Sequence, residues 1–502
     1  MKVASRSKAV LGTFAGSSLS TIIAGLQSIL LLPLYLGSAG TVNFGIWLAT
    51  GELLLWLVAF DCGLPNMMVQ RVGAADARGE NRIAGCYFAS GMVMLTAIAG
   101  LLSTTAWLIA PWAVSVLSPS KIAIPEVVNP LRMAAISIGF VIINYGFQGL
   151  SRALQRTAIV SVSSVFSTIV GFVVTLILLE QGYGLTSIAG GLVVRSTGSL
   201  LGGLIFLFTD TRCRALLPEL RPSKAAIHEL LVEAPLQLVS GLAYALMNNS
   251  QIALAAYLIR PEAAVILGVT RKVAEFIKAL LDMVGYSTEG AFAHLFAEGD
   301  AKKIQFNLRR LDFTLVGMAV AMLTAYVVAN PGFVHVWMDG RYETGPIVTA
   351  LIALGTLASA WSYIGVSRIR ATGAFRTSAT ILLADCCARL ALMACGANSA
   401  GIEGLLAGAI LPPVISGCLS RLILRSKLNL SAATRRTTWI WSLTPLALAV
   451  SLSGSLRADS WIQVALFAGF AFAIATLILV FCAGEFGFSI KVPGRFVRSQ
   501  PA

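Results

Sequence analysis

The chain has few charged residues and no long polar segment. Only 12% of its 502 residues are charged, 57% are hydrophobic, and the mean hydropathy is +0.82. The segments between the apolar runs are short, which leaves no room for a soluble catalytic domain. The apolar runs are about 20 residues long, the length at which a helix crosses a hydrocarbon core of about 30 Å. The composition therefore predicts an all-α integral membrane protein.

The chain also lacks the motifs of metal, redox and nucleotide sites. Its eight cysteines contain no C-x-x-C pair, and its three histidines, His228, His294 and His335, are far apart in the sequence. There is no Gly-x-x-x-x-Gly-Lys-Ser/Thr phosphate loop and no Rossmann fingerprint. We therefore predict no metal, no cofactor and no enzymatic activity, with reduced cysteines that serve in packing.

The net charge of +14 does not indicate a nucleic-acid partner, because the basic residues are confined to alternate connections. Basic clusters occupy the connections at 212–224 and 302–310, whereas those at 37–41 and 180–184 contain no lysine or arginine. Such alternation is the positive-inside pattern of multi-pass membrane proteins. It predicts that both termini lie in the cytoplasm.

The apolar runs and the alternating charge together predict about fourteen transmembrane helices. The charged segment 263–294 is included because an even number of crossings must separate the two basic connections around it. We place the spans at 10–36, 43–65, 84–117, 130–151, 158–180, 185–209, 234–258, 263–294, 311–334, 346–367, 377–396, 402–424, 438–455 and 460–483.

An internal repeat relates two parts of the chain. LYLGSAGTVNFGIW at 34–47 resembles AYLIRPEAAVILGV at 256–269, and ADARGENR at 75–82 resembles AEGDAKKI at 297–304. The copies have the same order and orientation, so they predict a parallel repeat of two six-helix lobes around a central cavity, plus two C-terminal helices. The predicted parts are the N-lobe at 1–209, a cytoplasmic loop at 210–233, the C-lobe at 234–424, two additional spans at 438–483 and a cytoplasmic tail at 484–502.

With LLPLYLGSAGTVNFGIWLA, FDCGLPNMMVQRVGAADARGE, AEGDAKK and VWMDGRY, the chain resembles the bacterial polysaccharide flippases of the MOP superfamily. This resemblance implies that the protein lies in the cell inner membrane and moves undecaprenyl-diphosphate-linked oligosaccharide from its cytoplasmic to its periplasmic leaflet, for surface polysaccharide biosynthesis. It also implies a V-shaped pair of lobes whose first, second, seventh and eighth spans line the cavity. Other polysaccharide assembly proteins are further partners that the resemblance suggests.

The eighth span carries a charged face. Arg271, Glu275, Lys278 and Asp282 are spaced four, three and four residues apart, so they share one side of a helix. Charges at the bilayer centre are costly and should not face lipid. One interpretation is a self-neutralising ladder of Arg271–Glu275 and Lys278–Asp282 pairs. The other is that part of the positive charge, with Lys272 added, binds a diphosphate.

The seventh span carries a polar face of similar spacing. Amides and a phenol suit sugar hydroxyls, which need hydrogen-bond donors and acceptors rather than charge. The alternative is that these groups join neighbouring helices, as polar residues in spans often do. The residues of this face are Gln237, Tyr244, Asn248 and Gln251, with Gly241 between them.

Other charged residues lie within predicted spans. Arg195 has no acid near it in sequence, so it needs a substrate phosphate or an acid from elsewhere. Glu52 and Asp61 of the second span are candidates for that acid, or for a site that couples transport to H⁺ or Na⁺. Asp385 and Arg389, four residues apart, are predicted to neutralise each other.

The sequence thus predicts a non-enzymatic flippase of lipid-linked oligosaccharide that works by alternating access. A cation-coupled exporter of drugs or other small molecules with the same fold is one alternative, although such a cavity should be rich in carboxylates. A membrane polymerase or ligase of polysaccharide assembly is the other, although the outer connections are short and show no paired catalytic groups.

Overall fold

The computed structural model describes residues 23, 25, 27, 29–118, 124–282, 292, 296, 301–372, 374–428, 436–452 and 458–483. Within these residues every regular element is a helix, as predicted. The chain divides into two compact units, Met1–Ala264 and Val265–Ala502.

Unit 1 contains the first helices of the chain. Leu64, Met68, Phe88, Ile142 and Phe147 belong to its main buried apolar cluster. Its helices are α1 (Ile29–Ala39), α2 (Thr41–Val58), α3 (Leu64–Ala77), α4 (Asn81–Leu117), α5 (Pro125–Ala153), α6 (Ala158–Glu180), α7 (Leu185–Thr209), α8 (Thr211–Leu216), α9 (Lys224–Asn249) and α10 (Gln251–Leu258).

The packing of α6 against α7 depends on small residues. A Cβ atom added to Gly198 would lie 2.6 Å from the Ser167 hydroxyl, and one added to Gly171 would lie 2.8 Å from the Gly191 carbonyl oxygen. Lipid tails are as apolar as leucine, so helices in a bilayer associate through close packing, which small residues permit. The abundance of glycine and serine in these two spans therefore has a direct structural use.

The predicted second span is interrupted. α2 ends at Val58 and α3 begins at Leu64 with Pro65 in its first turn. Between them, Cys62 and Gly63 both have left-handed backbone angles, with φ of 57° and 65°. Proline at the start of a helix costs no hydrogen bond, because the first N–H groups have no partner within the helix. Pro65 thus starts a new helix rather than bending an existing one.

Unit 2 contains the remaining helices, and α11 (Pro261–Thr270) leads into it. The helical segment at 272–282 is called α12. The others are α13 (Ala301–Met338), α14 (Pro346–Ala371), α15 (Phe375–Gly408), α16 (Leu411–Lys427), α17 (Arg436–Leu452) and α18 (Trp461–Ala483).

The predicted eleventh and twelfth spans form a tight hairpin within α15 and α16. Ala400 and Gly401 have non-helical backbone angles, and the φ of +58° at Gly401 favours glycine. Gly396 and Gly404 face each other across the turn, and a Cβ atom on either would overlap the backbone of the other. The connection between these two spans is therefore only a few residues long, as the short interval between them in the prediction requires.

Ten helices of the described residues are long and apolar enough to cross a membrane, counting α2 with α3 and α15 with α16 as single stretches. The fifth and sixth predicted spans coincide with α6 and α7. The count of about fourteen and the lobe boundaries stay predictions. Residues 10–22 of the first span, most of 283–294 and the tail at 484–502 lie outside the described residues.

Candidate functional site: interrupted helices and buried charges

The helix of the predicted seventh span is interrupted at Ser250, and side chains of α2 form hydrogen bonds with backbone groups beside the interruption. α9 ends at Asn249, and the carbonyl oxygen of Asn249 accepts a hydrogen bond of 3.1 Å from Trp56 Nε1. The Glu52 carboxylate accepts hydrogen bonds from the backbone N–H groups of Ile252 at 2.9 Å and Ala253 at 3.0 Å. Non-helical backbone is tolerated at membrane depth only where other protein groups or water satisfy it. Glu52 thus acts as the cap of α10.

Asp61 has a comparable structural contact. Its Oδ1 accepts a 2.8 Å hydrogen bond from Gly63 N and so holds the left-handed turn between α2 and α3. Arg195 forms no ion pair with Asp61 or Glu52 within the described residues. Tyr145 of α5 instead interacts electrostatically with both Asp61 and Arg195. Sequence analysis does not identify Tyr145, because it is a single tyrosine in an apolar run.

The polar face of the seventh span is divided between two helices. Gln237, Tyr244 and Asn248 lie on α9, whereas Gln251 starts α10 beyond the break. Asn248 Nδ2 donates to the Tyr244 carbonyl oxygen at 2.8 Å, within its own helix. A Cβ atom on Gly63 would lie 2.8 Å from the Gln237 Cβ, so Gln237 packs on the α2–α3 turn. That contact favours the helix-joining interpretation for Gln237, while a sugar contact of the others stays a prediction.

In unit 2, the helix that begins at Pro261 is interrupted at the start of the charged face. α11 ends at Thr270. The carbonyl oxygen of Thr270 accepts hydrogen bonds from Tyr326 Oη at 2.9 Å and Asn330 Nδ2 at 3.2 Å. Both donors come from α13 and are at most 3% exposed. Sequence reasoning missed this pair, although two polar residues four apart in an apolar run are a usable signal.

The charged face of α12 forms ion pairs. Arg271 Nε lies 2.8 Å from Glu275 Oε1, and Lys278 Nζ lies 2.5 Å from Asp282 Oδ2. Lys272 Nζ lies 3.4 Å from the second oxygen of Glu275, so that carboxylate serves two cations. The five side chains are between 12% and 35% exposed, so they are neither fully buried nor fully exposed. The ladder that the spacing predicts is therefore present, with one cation more than it has carboxylates.

Asp385 and Arg389 neutralise each other, which confirms the prediction from their spacing. Arg389 Nη2 lies 3.2 Å from Asp385 Oδ1, and both side chains are almost fully buried. The Ser362 and Ser416 hydroxyls donate to Asp385 Oδ2 at 3.1 Å and 2.7 Å. The charge of this carboxylate is thus fully occupied by protein groups.

No group of three or more metal-binding side chains occurs among the described residues. The prediction that the chain needs no cofactor is not tested by this observation.

Comparisons with known proteins identify the family and the fold of the chain. A family model described as "Polysaccharide biosynthesis protein" matches residues 11–293, more than half of the chain. The comparison of this chain with curated proteins found no match. An inward-facing multidrug resistance MATE family transporter of the MOP superfamily has a TM-score of 0.67 at 11% identity, with 80% of this chain and 94% of that chain covered.

Two further solved structures have the same fold. The Vibrio cholerae MATE transporter VcmN in the bent form has a TM-score of 0.59 at 15% identity, covering 85% of this chain and 98% of its own. A MOP superfamily transporter from Pyrococcus furiosus has a TM-score of 0.59 at 11% identity, covering 84% and 96%. At these identities the likeness concerns the fold. Because the family model covers more than half of its length, this multi-pass membrane protein belongs to the polysaccharide biosynthesis protein family, with the fold of the MOP superfamily transporters.

Proposed function

We propose that the protein moves undecaprenyl-diphosphate-linked oligosaccharide from the cytoplasmic to the periplasmic leaflet of the inner membrane by alternating access. Membership of the polysaccharide biosynthesis family and the MOP fold support a transport role in that pathway. The observation that carries the proposal for this substrate is the surplus of positive charge on Arg271 and α12 taken together.

Within the described segment 271–282, three cations, Arg271, Lys272 and Lys278, accompany two carboxylates, Glu275 and Asp282. Charges within a span are costly in lipid and are expected to mark a substrate or ion pathway. A diphosphate carries at least two negative charges, and charge-assisted hydrogen bonds are the strong ones. A cationic helix face therefore favours this substrate over a cationic drug.

Lys272 is the cation best placed to exchange partners. It shares Glu275 with Arg271 at the longer distance of 3.4 Å, so it can turn to a phosphate while Arg271 keeps the carboxylate neutralised. Lys278, at 2.5 Å from Asp282, has a closer partner to leave. We assign Lys272 the main contact with the diphosphate, with Arg271 and Lys278 in support.

The interruption at Thr270 gives the helix a place to bend. The Thr270 carbonyl oxygen is held by two side chains of α13 instead of an unbroken helical ladder. Bending there costs fewer backbone hydrogen bonds than bending an intact helix. In the proposed cycle α12 changes its angle at this point while its charged face keeps hold of the diphosphate.

The experiment compares Lys272→Gln with Arg376→Gln, an exposed residue at the start of α15 that loses the same charge. Proteoliposomes would contain lipid-linked oligosaccharide, and a membrane-impermeant glycosidase would report the fraction of glycan outside. We expect Lys272→Gln to slow translocation at least tenfold and Arg376→Gln to leave it unchanged. Equal rates for wild type and Lys272→Gln would contradict the assigned contact.

The energy source is a separate proposal. Asp61 lies in the backbone turn between α2 and α3, where movement of a helix would change its surroundings. We propose it over Glu52 as a coupling site for H⁺ or Na⁺, because Glu52 is committed to two backbone N–H groups. We expect that transport by the Asp61→Asn variant no longer responds to a pH or sodium gradient.

A further inference from the structure

Three helices of unit 2 bring four arginines to one small cavity. Arg309 comes from the N-terminal part of α13, Arg368 from the C-terminal end of α14, and Arg421 and Arg425 from the C-terminal end of α16. Asp312 is the acidic residue that lines it. The basic connections predict that these helix ends are cytoplasmic. Among the residues that the structure describes, the cavity lining therefore holds four positive charges and one negative charge.

A single carboxylate oxygen serves two of these arginines. Arg368 Nη1 donates to Asp312 Oδ1 at 2.7 Å, and Arg421 Nη2 donates to the same oxygen at 3.0 Å. One carboxylate cannot neutralise four guanidinium groups. Arg368 and Arg421 are only 3% and 12% exposed. Buried charges are stable only when they are paired and hydrogen-bonded, so two such cations on one carboxylate favour a further anion beside them.

Arg421 is fixed by the surrounding helices. Its Nη1 donates to the carbonyl oxygens of Trp361 and Gly417, both at 3.0 Å. Its guanidinium carbon lies 3.2 Å from the centre of the Trp361 ring. Stacking on an aromatic face and several hydrogen bonds hold a guanidinium group in one orientation. Arg421 thus forms a rigid wall of the cavity.

The Arg368 side chain has unused hydrogen-bond donors. It is 3% exposed, its guanidinium carbon lies 5.5 Å from the centre of the Phe292 ring, and only Nη1 donates a hydrogen bond to the protein, to Asp312. Its Nε and Nη2 are buried and have no hydrogen-bond partner among the residues that the structure describes. These two nitrogens form one edge of the planar guanidinium, the edge that binds two oxygens of a phosphate or carboxylate at once.

The general preference for arginine on the cytoplasmic side does not account for this arrangement. Arginines at helix C-termini usually extend their charged ends into water and offset the helix dipole. Arg368 instead lies inside the protein with a complete donor edge unused. Leaving buried donors without hydrogen-bond partners is costly, so a residue kept in this state is expected to have a binding role.

We propose that this cavity binds a phosphate group, held by Nε and Nη2 of Arg368 with Arg309 and Arg425 at the rim. The cavity measures about 50 Å³. One water needs roughly 10–15 Å³ on this measure, so the space suits a phosphate and is too small for a sugar ring. Either a phospholipid headgroup or free phosphate supplies the same chemistry, and basic pockets on the cytoplasmic side are suited to anionic lipids. The site is distinct from the charged face of α12 and does not depend on the flippase proposal.

Binding would be measured on the purified full-length protein in two arms. In neutral detergent, sodium phosphate is titrated at constant ionic strength while thermal unfolding is followed by tryptophan fluorescence. In nanodiscs of phosphatidylcholine with or without phosphatidylglycerol, native mass spectrometry reports retained lipid. Ligands that bind only the folded state raise its apparent stability. A shift with phosphate identifies a free-anion site, and retained phosphatidylglycerol alone identifies a lipid site.

Two sets of variants test the assignment. Arg368→Lys keeps the pairing with Asp312 and removes the two-nitrogen edge, so we expect at least tenfold weaker binding in whichever arm responds. The rim pair Arg309→Gln with Arg425→Gln should give the same loss and serves if Arg368→Lys does not fold. Arg376→Gln should bind as wild type does. No response of the wild type in either arm, or unchanged binding in the rim pair, would overturn the proposal.

Discussion

At the scale of single residues, the charged face of α12 allows a clean separation of two roles for Lys278. Its ammonium lies 2.5 Å from Asp282. If Lys278 only balances Asp282, Lys278→Ala strands a carboxylate and the double change with Asp282→Ala restores transport. If it also contacts the diphosphate, both the single and the double variants stay slow, and Lys278→Arg keeps partial activity.

The flippase account predicts the second outcome: rates of Lys278→Ala and of the double variant at least tenfold below wild type, with normal amounts of protein in the membrane. The measurement is translocation of lipid-linked oligosaccharide in proteoliposomes. Full recovery in the double variant would remove Lys278 from the binding site and leave the diphosphate to Lys272 and Arg271.

Glu52 provides a second prediction at this scale. Its carboxylate accepts two backbone hydrogen bonds at the start of α10 and is 6% exposed. Glu52→Ala leaves those donors unpaired and should lower the free energy of unfolding by about 1–3 kcal/mol. Glu52→Gln keeps one acceptor oxygen and should lose less, with transport retained.

Thermal unfolding and transport of both Glu52 variants check this assignment. A Glu52→Gln protein of wild-type stability that no longer transports would show that the carboxyl group titrates during the cycle, and the capping role would then be incomplete.

At the scale of elements, hydropathy predicts where the chain is helical but not where a helix is interrupted. The sequence prediction for α6 and α7 agrees with the structure, because polar connections border these apolar runs on both sides. Sequence analysis does not predict the breaks at Ser250 and Thr270, although polar residues occur at both, because it assigns those residues to the faces of continuous helices. The backbone groups at each break form hydrogen bonds with side chains that are distant in sequence. These are Glu52 and Trp56 at Ser250, and Tyr326 and Asn330 at Thr270.

The candidate site shows the same division. Helical spacing is enough to predict the pairs Arg271–Glu275 and Lys278–Asp282, because residues four apart in one helix are neighbours. It cannot predict that Arg368 and Arg421 meet at Asp312, because three separate helices bring them together.

The hairpin of α15 and α16 gives a prediction for an element. Gly396→Ala places a methyl group against the backbone of Gly404. This must separate the two parts of α15 that meet on either side of its turn at Gly401. Overpacking of this kind costs typically about 1–3 kcal/mol. Gly469→Ala, on α18, is the matched control because a Cβ atom there meets nothing within 4 Å.

Thermal unfolding in detergent should show a lower midpoint for Gly396→Ala and an unchanged or higher one for Gly469→Ala. Equal midpoints would mean that the two parts of α15 are not in close contact at this point.

At the scale of the whole molecule, the alternating basic connections predict which connections face outward. Single cysteines at Gly182 or Ser399 should react with an impermeant maleimide from outside, and one at Thr211 only from inside. Cys213 is an internal control, because burial raises the pKa of its thiol to about 12 and keeps it protonated and unreactive. Outside labelling at Thr211 would contradict the predicted orientation.

The most direct test of the central claim is the translocation of lipid-linked oligosaccharide by the purified wild-type protein in proteoliposomes. Three substrates would be compared: the diphosphate-linked oligosaccharide, the same glycan on a monophosphate-linked lipid, and a cationic drug. We predict rapid, protein-dependent translocation of the diphosphate form, slower translocation of the monophosphate form, and no transport of the cation. Protein-dependent transport of the cation, with the diphosphate-linked lipid moving no faster than in protein-free vesicles, would contradict the account.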